Sequence, residues 1–374
     1  MKCFSLTNLY TASFCTFATL INQYFMDLNI QQVTQSKIDS VDFNNLTFGR
    51  TFTDHMFVCD FADGEWKNPT IKPYGPMLFE PSARVFHYGQ AVFEGMKAFK
   101  DDNDDVFLFR PEDNHTRINV SAERLAMPAV PKEVFFEGLE KLLNLDKKWI
   151  KKGLGNSLYI RPFIIATEGA IAASPAEEYK FIIICSPAQS YYAGEVRVLF
   201  AEEYSRSANG GVGYAKAAGN YAAQFHPTRL ANEKGFQQII WTDANTHEYL
   251  EEAGTMNIFF RVGDKLITTP TNDRILDGIT RKSIIQLAED NNIAIEIRKV
   301  SVAEIKEAAR LGDLKEIFGS GTAAVINPIK GFKHQEDVFE LPEIDDSYAT
   351  LFKEKLVNIQ YNKAEDKHNW RVKI

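Results

Sequence analysis

The chain has 374 residues, of which 45% are hydrophobic and 25% are charged, a balance typical of globular proteins. Its formal net charge of −8 argues against a surface for nucleic acid or for an anionic membrane, and its length predicts two domains. The four cysteines have no CxxC spacing and the seven histidines form no HExxH motif, so the sequence predicts neither a metal site nor a disulfide framework. This cysteine usage suits a reducing compartment, and we expect a cytoplasmic protein.

The first 25 residues differ from the rest, because Lys2 is the single charged residue among them. They contain neither an apolar run long enough for a membrane span nor the arginines of a mitochondrial presequence. We interpret Met26 as the true start, with a frayed or cleaved extension as the alternative. Residues 1–45 are then an N-terminal extension, of which residues 1–25 need not belong to the mature protein.

Residues 46–187 are predicted to form a first, smaller domain. Short strands and turns are expected from residue 46 to about residue 99, and the strand VFLFR follows. Two helices come next: PEDNHTRINVSAERL begins at Pro111, and PKEVFFEGLEKLLNLDKKWIKKG ends at Gly153. The strands SLYIRPFIIAT and KFIIICSP complete this domain.

Residues 188–195 (AQSYYAGE) have the composition of a linker, and residues 196–374 are predicted to form a larger second domain. Its pattern gives the strand VRVLFAEEY, a helix near residues 221–234, the strand QQIIWTDA and a hairpin around VGDK. LDGITRKSIIQLAEDNN predicts a helix capped by Asp277 or Gly278. The strand IAIEIRKV, a helix near residues 302–311 and the strand EIFGSGTAAVINPI follow, so the fold class is α+β.

Lys216 lies among glycines and alanines in GGVGYAKAAGNYA, with no other charge nearby. A lysine amine becomes a nucleophile when an apolar or cationic pocket lowers its pKa. The flanking glycines would let the backbone approach a planar ligand closely. The alternative is a surface loop with a solvated lysine, and this segment alone does not decide between them.

Two adjacent acids, Glu251 and Glu252, begin the segment EEAGTMNIFF. A carboxylate held against a pyridine nitrogen keeps that nitrogen protonated and makes the ring an electron sink. A strand-end acid that faces water is the alternative, and the segment does not show which of the two acids is buried. The turns LDGITR and GSGTAA could both present backbone N–H groups to a phosphate or a carboxylate.

A nucleophilic lysine, an acid and N–H-rich turns are the groups that pyridoxal 5′-phosphate needs. In this order and spacing, GGVGYAKAAGNYA, EEAGTMNIF, LDGITR and FGSGTAA resemble the branched-chain amino acid aminotransferases, which are fold type IV enzymes that use this cofactor. FGRTFTDHMF, HYGQAVFEGMKAF, LFRPEDNHTR and SLYIRPF in the first half agree with the same family. The resemblance covers the chain from about Leu46 to Trp370.

The resemblance implies a small N-terminal α/β domain and a larger C-terminal domain with a pseudo-barrel of strands. It implies transamination of L-leucine, L-isoleucine and L-valine with 2-oxoglutarate, which gives branched-chain 2-oxo acids and L-glutamate. Family members are homodimers or larger assemblies, so the expected partners are these small molecules and a second copy of the chain. Alternatives with the same fold are a D-amino acid aminotransferase and an aminodeoxychorismate lyase, which are shorter. A non-enzymatic binder of the cofactor would require loss of Lys216 or Glu252, and both are present.

The resemblance also implies roles residue by residue. Lys216 matches the lysine that bonds to the cofactor and moves the substrate proton. Glu252, rather than Glu251, matches the acid beside the ring nitrogen of the cofactor. Tyr221 matches a tyrosine that forms a hydrogen bond with the phenolic oxygen of the same ring. The residues that match the phosphate site are Arg117, Ile279, Thr280 and Thr322. Those that match the substrate pocket are Phe48, Tyr88, Phe93, Tyr159 and Arg161, with Thr322 and Ala323 at the substrate carboxylate.

The sequence departs from the family in two places. Some mammalian members have a redox CxxC where this chain has Ala324 and Asn327, so we expect no thiol switch here. Many relatives have proline where this chain has Asp277, and we expect Asp277 to cap the helix that follows.

Overall fold

The computed structural model describes residues 27–189 and 196–374, so the predictions for residues 1–25 and for most of the linker lie outside it. Within these ranges the chain forms two β-sheets with helices packed against them, which confirms the α+β class. None of the helices in the described residues combines the length and the apolar character that crossing a membrane requires.

The first half of the chain contains both strands and helices. In order they are β1 (Asn29–Ile30), β2 (His55–Ala62), β3 (Glu65–Pro73), α1 (Arg84–Tyr88), β4 (Ala91–Phe93), β5 (Met96–Lys100), β6 (Val106–Phe109), α2 (Pro111–Arg124), α3 (Lys132–Leu145), β7 (Ser157–Ala166) and β8 (Tyr179–Ala188).

The second half has the same mixed character. Its elements are β9 (Val196–Phe200), α4 (Ala218–Glu233), β10 (Gln238–Thr242), β11 (Tyr249–Ala253), β12 (Asn257–Val262), β13 (Lys265–Thr268), α5 (Ile279–Asp290), β14 (Ile295–Ile297), β15 (Val300–Ser301), α6 (Val302–Leu311), β16 (Leu314–Gly321), β17 (Val325–His334), β18 (Asp337–Glu340), α7 (Tyr348–Gln360) and β19 (Arg371–Lys373).

The first sheet has the strand order β1-β3-β2-β8-β7-β5-β6-β19, and β4 pairs with β7. Its pairs are antiparallel except for β1 with β3. The apolar residues of β2 and β8 pack against α3, where the rings of Phe135 and Phe181 stack with their centroids 5.8 Å apart. This burial of aromatic surface fixes α3 on the sheet.

The second sheet has the order β14-β13-β12-β16-β17-β9-β10-β11-β15, with β18 paired to β17. It is mixed, because β9 runs parallel to both β10 and β17, whereas β12, β13, β16 and β17 are connected by antiparallel pairs. The rings of Phe200 and Phe332 stack at 4.5 Å in its core. The predicted hairpin around VGDK is confirmed as β12–β13, and the helix predicted near residues 302–311 is confirmed as α6.

A shared apolar cluster joins the two sheets. Phe99 and Phe109 from the first sheet belong to the same buried cluster as Phe318 and Phe352 from the second half. The last strand, β19, pairs antiparallel with β6 of the first sheet. The division into residues 46–187 and 196–374 stays a prediction, and residues 371–373 pair outside the unit to which it assigns them.

Three local predictions differ from the structure. α3 ends at Leu145 rather than at Gly153, because the buried Asp146 side chain turns inward to His55 Nδ1 at 2.6 Å. The predicted strand EIFGSGTAAVINPI is two strands, β16 and β17, joined by a turn at residues 322–324. Gly278, and not Asp277, is the N-cap of α5, and the Asp277 carboxylate instead pairs with Lys282 Nζ at 2.6 Å.

Candidate active site

A cavity of about 570 Å³ lies between the two sheets. The first sheet contributes β4 and β7 to its wall, and the second half contributes α4, the β11–β12 connection, the start of α5 and the β16–β17 turn. The predicted site residues that line it are Phe48, Phe93, Arg117, Tyr159, Arg161, Lys216, Tyr221, Glu252, Ile279, Thr280, Thr322 and Ala323.

Lys216 lies in the cavity wall immediately before α4. Its backbone N–H donates to Ser121 Oγ at 2.9 Å, and its carbonyl accepts from the Phe93 N–H at 3.1 Å. The Nζ atom donates to the Tyr221 hydroxyl at 3.0 Å and lies 5.1 Å from the centroid of the Phe93 ring. The backbone is thus held by α2 and β4, and the half-buried amine points at an aromatic-lined space rather than at open solvent.

Tyr221 belongs to the first turns of α4, which begins at Ala218. Its ring contacts the Phe93 ring with a centroid distance of 4.8 Å. Because this packing fixes the ring, the hydroxyl stays within reach of the Lys216 amine. The small residues of GGVGYAKAAGNYA let this helix start directly at the cavity.

Glu252 is a buried carboxylate at the end of β11. Its Oε1 accepts from Arg206 Nη1 at 2.7 Å and from the Leu276 N–H at 3.3 Å, and its Oε2 accepts from Asn257 Nδ2 at 3.1 Å. Burial raises the pKa of Glu252 to about 7, even though Arg206 favours the ionised form. A carboxyl poised in this way can accept a proton from, or stabilise a positive charge on, a ring nitrogen placed beside it.

Glu251 points to the opposite side of the strand, as the alternation of side chains in β11 requires. Its carboxylate pairs with Arg274 Nε, and it does not line the cavity. Because side chains alternate along β11, Glu252 faces the cavity and Glu251 does not.

Arg117 comes from α2 and is buried beside the start of α5. Its Nε and Nη2 atoms donate to the two carboxylate oxygens of Glu94 at 2.7 and 2.9 Å, and its Nη1 donates to the Asp277 carbonyl at 3.0 Å. Ile279 and Thr280 are the first two residues of α5, and their N–H groups have no carbonyl partner within the helix. A guanidinium beside a helix N-terminus suits an anion such as a phosphate.

Gly278 is required where α5 begins. A Cβ at this position would collide with Asn257 Oδ1, and Asn257 also donates to Glu252 and to the Leu276 carbonyl. The start of α5 and the buried acid are therefore connected through one amide side chain.

The β16–β17 turn forms another part of the wall. Thr322 and Ala323 line the cavity, and the Ala323 carbonyl accepts from Lys97 Nζ at 3.0 Å. Ser320 Oγ, also in the wall, is buried without a hydrogen-bond partner in the protein. Because buried hydroxyl groups are normally satisfied, Ser320 is available to a polar ligand group.

Aromatic rings and one arginine line another part of the cavity wall. Phe48 contacts the ring of Tyr159 at a centroid distance of 5.0 Å. Arg161 Nη2 donates to the Tyr159 hydroxyl at 2.9 Å, and its guanidinium lies 4.6 Å from the Phe93 ring centroid. The Arg161 Nε atom is buried without a partner, so this wall offers apolar surface together with an unused donor.

Tyr88 is the one predicted site residue that lies away from this cavity. Its side chain is at the end of α1, 47% exposed, and its hydroxyl donates to the Ile171 carbonyl. The substrate-binding role predicted for Tyr88 stays a prediction.

Sequence reasoning missed four residues that hold the site together: Glu94, Ser121, Arg206 and Asn257. Glu94, Ser121 and Arg206 act through partners far away in the sequence, such as Arg117 at 23 residues from Glu94, whereas Asn257 bonds Glu252 only five residues away. The one sequence feature that could have pointed to any of these four residues is a charged residue inside an apolar segment, as with Glu94 in AVFEGMKAF.

These groups fit pyridoxal phosphate as a ligand. The cavity joins an amine and a phenol at Lys216 and Tyr221, a buried carboxyl at Glu252, and an anion site beside Arg117 and α5. The unsatisfied Ser320 hydroxyl lies in the same wall and gives one further polar contact.

Comparison with known proteins gives an independent result. The family model described as "Amino-transferase class IV" matches residues 91–332. A probable branched-chain-amino-acid aminotransferase of Staphylococcus epidermidis is 44% identical over 346 residues, which are 91% of this chain and 96% of that protein. The branched-chain-amino-acid transaminase 1 of Bacillus subtilis is 43% identical over 340 residues, which are 89% of this chain and 95% of that protein.

Solved structures confirm the predicted fold. The branched-chain aminotransferase of Thermoproteus uzoniensis with norvaline superposes with a TM-score of 0.70 at 24% identity, over 85% of this chain and 99% of that one. The branched-chain amino acid aminotransferase of Escherichia coli gives a TM-score of 0.69 at 22% identity, over 85% and 98% of the two chains.

Proposed function

The chain belongs to the class IV aminotransferases, and from this membership we propose that it transfers the amino group of L-leucine, L-isoleucine or L-valine to 2-oxoglutarate. The products are the branched-chain 2-oxo acid and L-glutamate, and pyridoxal phosphate is the cofactor. The observation that carries the proposal is a single cavity that holds an amine, a buried acid and an anion site against an aromatic wall. Relatives at 43–45% identity that span nearly the whole chain are named for this reaction.

Pyridoxal phosphate, when bound, supplies an electron sink for the charge that develops at Cα of the amino acid. Lys216 would hold the cofactor through its amine, and Glu252 would face the ring nitrogen. Arg117, Ile279, Thr280 and Thr322 would bind the phosphate group. Tyr221 would donate to the phenolic oxygen.

Lys216 Nζ would take the α-proton of the amino acid and pass it to the cofactor side rather than back to Cα, as transamination requires. Its contact with the Tyr221 hydroxyl at 3.0 Å, close to the Phe93 ring, keeps the amine near one position. The buried backbone contacts with Ser121 and Phe93 hold the lysine on both sides. A fixed amine of this kind lowers the cost of bringing the base to the proton.

The aromatic wall selects the side chain of the substrate. Phe48, Phe93 and Tyr159 offer apolar surface to a branched aliphatic side chain, whose burial stabilises binding by about 1.5–3 kcal/mol. Arg161, with its unused Nε donor, receives the second carboxylate of glutamate or 2-oxoglutarate. The backbone N–H groups of Thr322 and Ala323 bind the α-carboxylate of both amino donors, the branched-chain amino acid and glutamate.

Steady-state kinetics with a panel of amino donors test this function. We expect turnover of L-leucine, L-isoleucine and L-valine with 2-oxoglutarate, and none after Lys216→Ala. Turnover of D-alanine or of aminodeoxychorismate in place of these L-amino acids would instead support the two other enzymes of this fold. Full activity of the Lys216→Ala variant would contradict the role given to Lys216.

We also propose that the protein is a cytoplasmic homodimer or a larger homo-oligomer. Support comes from exposed apolar side chains at α1, Phe86 and Tyr88, together with exposed Ile171, whose carbonyl accepts from the Tyr88 hydroxyl. Such a patch is unusual on a monomer and would place Tyr88 at the contact between subunits. Light scattering after size exclusion tests the assembly, and a monomer that keeps full activity would contradict it.

A further inference from the structure

Glu94 is a buried carboxylate with no assigned role in the reaction. It follows β4 directly and is not part of the cavity wall, although its neighbours Phe93 and Gly95 are. Its oxygens accept from Arg117 Nε and Nη2, from Asn114 Nδ2 at 2.6 Å and from the Gly95 N–H at 3.0 Å. Burial alone would raise the pKa of Glu94, but the contact with Arg117 lowers it overall, so the group stays ionised.

The contacts of Arg117 leave part of its guanidinium free. The group has five N–H bonds in a planar fork. Glu94 takes two of them, and the Asp277 carbonyl takes a third. Two N–H bonds therefore have no partner among the described residues, and the side chain lines the cavity together with Ile279 and Thr280, the first residues of α5.

A contribution to stability alone is a weak explanation for the presence of the buried Glu94–Arg117 ion pair. Replacing a buried ion pair with apolar residues of similar volume is often neutral or stabilising, because both charges lose hydration. A bidentate contact does, however, fix both the rotamer and the plane of an arginine side chain. The two contacts from Arg117 to Glu94 provide that restraint, and the contacts from Asn114 and the Gly95 N–H hold the carboxylate itself in place.

We propose that Glu94 is a positioning residue for cofactor binding, which orients Arg117 so that its two free N–H bonds face the phosphate group. The inference rests on the proposed function, because it takes a phosphate monoester as the ligand. Asn114 holds Glu94 in turn, one helical turn before Arg117 on α2.

Titration of cofactor-free protein with pyridoxal phosphate and with pyridoxal tests this role without measuring turnover. Both aldehydes react with the Lys216 amine and change the absorption spectrum, but only the first carries a phosphate. Glu94→Gln keeps the shape of the side chain but has one oxygen acceptor in place of two, and its NH₂ group faces the donors. We expect pyridoxal phosphate to bind roughly 10- to 100-fold more weakly, the range seen when outer partners of metal ligands are removed, and pyridoxal to bind as before.

Glu316→Gln is the matched control. Glu316 is also a buried carboxylate beside an arginine, Arg261, at 3.4 Å, but it lies outside the cavity wall. This variant should keep the wild-type ratio of the two affinities. If Glu94→Gln does not fold, Glu94→Asp can be used instead, because it keeps the charge but shortens the side chain by one methylene. The ratio of the affinity for pyridoxal phosphate to that for pyridoxal should fall in this variant as well.

The possible outcomes separate the two proposals. Equal weakening of both ligands, or no weakening of either, in a folded Glu94 variant would overturn the positioning role. A wild-type protein that shows no preference for pyridoxal phosphate over pyridoxal would instead contradict the proposed function.

Discussion

The free energy of unfolding of a cofactor-free Glu252→Gln variant should rise, relative to that of the wild-type protein, as the pH rises. In the folded protein the pKa of Glu252 is raised from 4.5 to about 7 by burial. Folding therefore takes up a proton between these two values, and the wild-type protein loses stability as the pH rises through this window. At 1.36 kcal/mol for each pKa unit, the loss amounts to about 3 kcal/mol once both states are ionised, and roughly 2–3 kcal/mol of it falls between pH 5 and pH 8.5.

Glutamine cannot ionise, so this contribution is absent from the variant. Arg206 has an anionic partner only where Glu252 is ionised, and this attraction is already included in the pKa of about 7, so it adds no separate pH dependence to the comparison. Urea denaturation of both cofactor-free proteins at pH 5 and pH 8.5 gives the four free energies of unfolding that are needed. The reasoning would be refuted by a difference between the two proteins that does not change with pH. The same variant should be nearly inactive, because the acid that faces the ring nitrogen is lost.

Three other substitutions test separate parts of the site. Tyr221→Phe removes one hydrogen bond to the Lys216 amine, which is worth about 0.5–1.5 kcal/mol. Turnover should therefore fall up to about tenfold, while the thermal stability stays unchanged. A large loss of stability would mean that the hydroxyl serves folding. Gly278→Ala places a methyl group against Asn257 and should destabilise the protein by about 1–3 kcal/mol, measured by denaturation, while weakening the cofactor; wild-type behaviour would contradict the close contact. Arg161→Gln should raise KM for 2-oxoglutarate roughly 10- to 100-fold, as expected for loss of a charged hydrogen bond, and change KM for leucine much less; equal changes would refute its proposed selectivity for the second carboxylate.

Part of this site could be predicted from the sequence because its signals are local. Lys216 stands out within a short run of glycine and alanine, and the turns at Gly278 and Thr322 consist of residues with known turn preferences. The boundary of α5 was predicted within one residue, since both Asp277 and Gly278 are good N-caps.

The rest depends on long-range geometry. The residues alone leave open whether Glu251 or Glu252 faces the cavity, and only the family resemblance favours Glu252, because the choice is set by the position of β11 in the sheet and one residue of shift would exchange the two. The ion pairs of Glu94 with Arg117 and of Glu252 with Arg206 bring together residues that no periodic pattern relates. Tyr88 shows the same limit, because its exposed position at α1 cannot be read from the letters around it.

The pairing of β19 with β6 has a consequence for how the protein is made. During synthesis the ribosome releases the whole first half of the chain well before residues 371–373 emerge, so β6 stays an open edge of the first sheet until those residues are available. The Arg110 N–H, which donates to the Trp370 carbonyl at 2.7 Å, also gains its partner only then. The first half of the sequence therefore cannot complete its own sheet, and removal of residues 371–373 would expose the edge of β6, which lies more than 250 residues earlier in the chain.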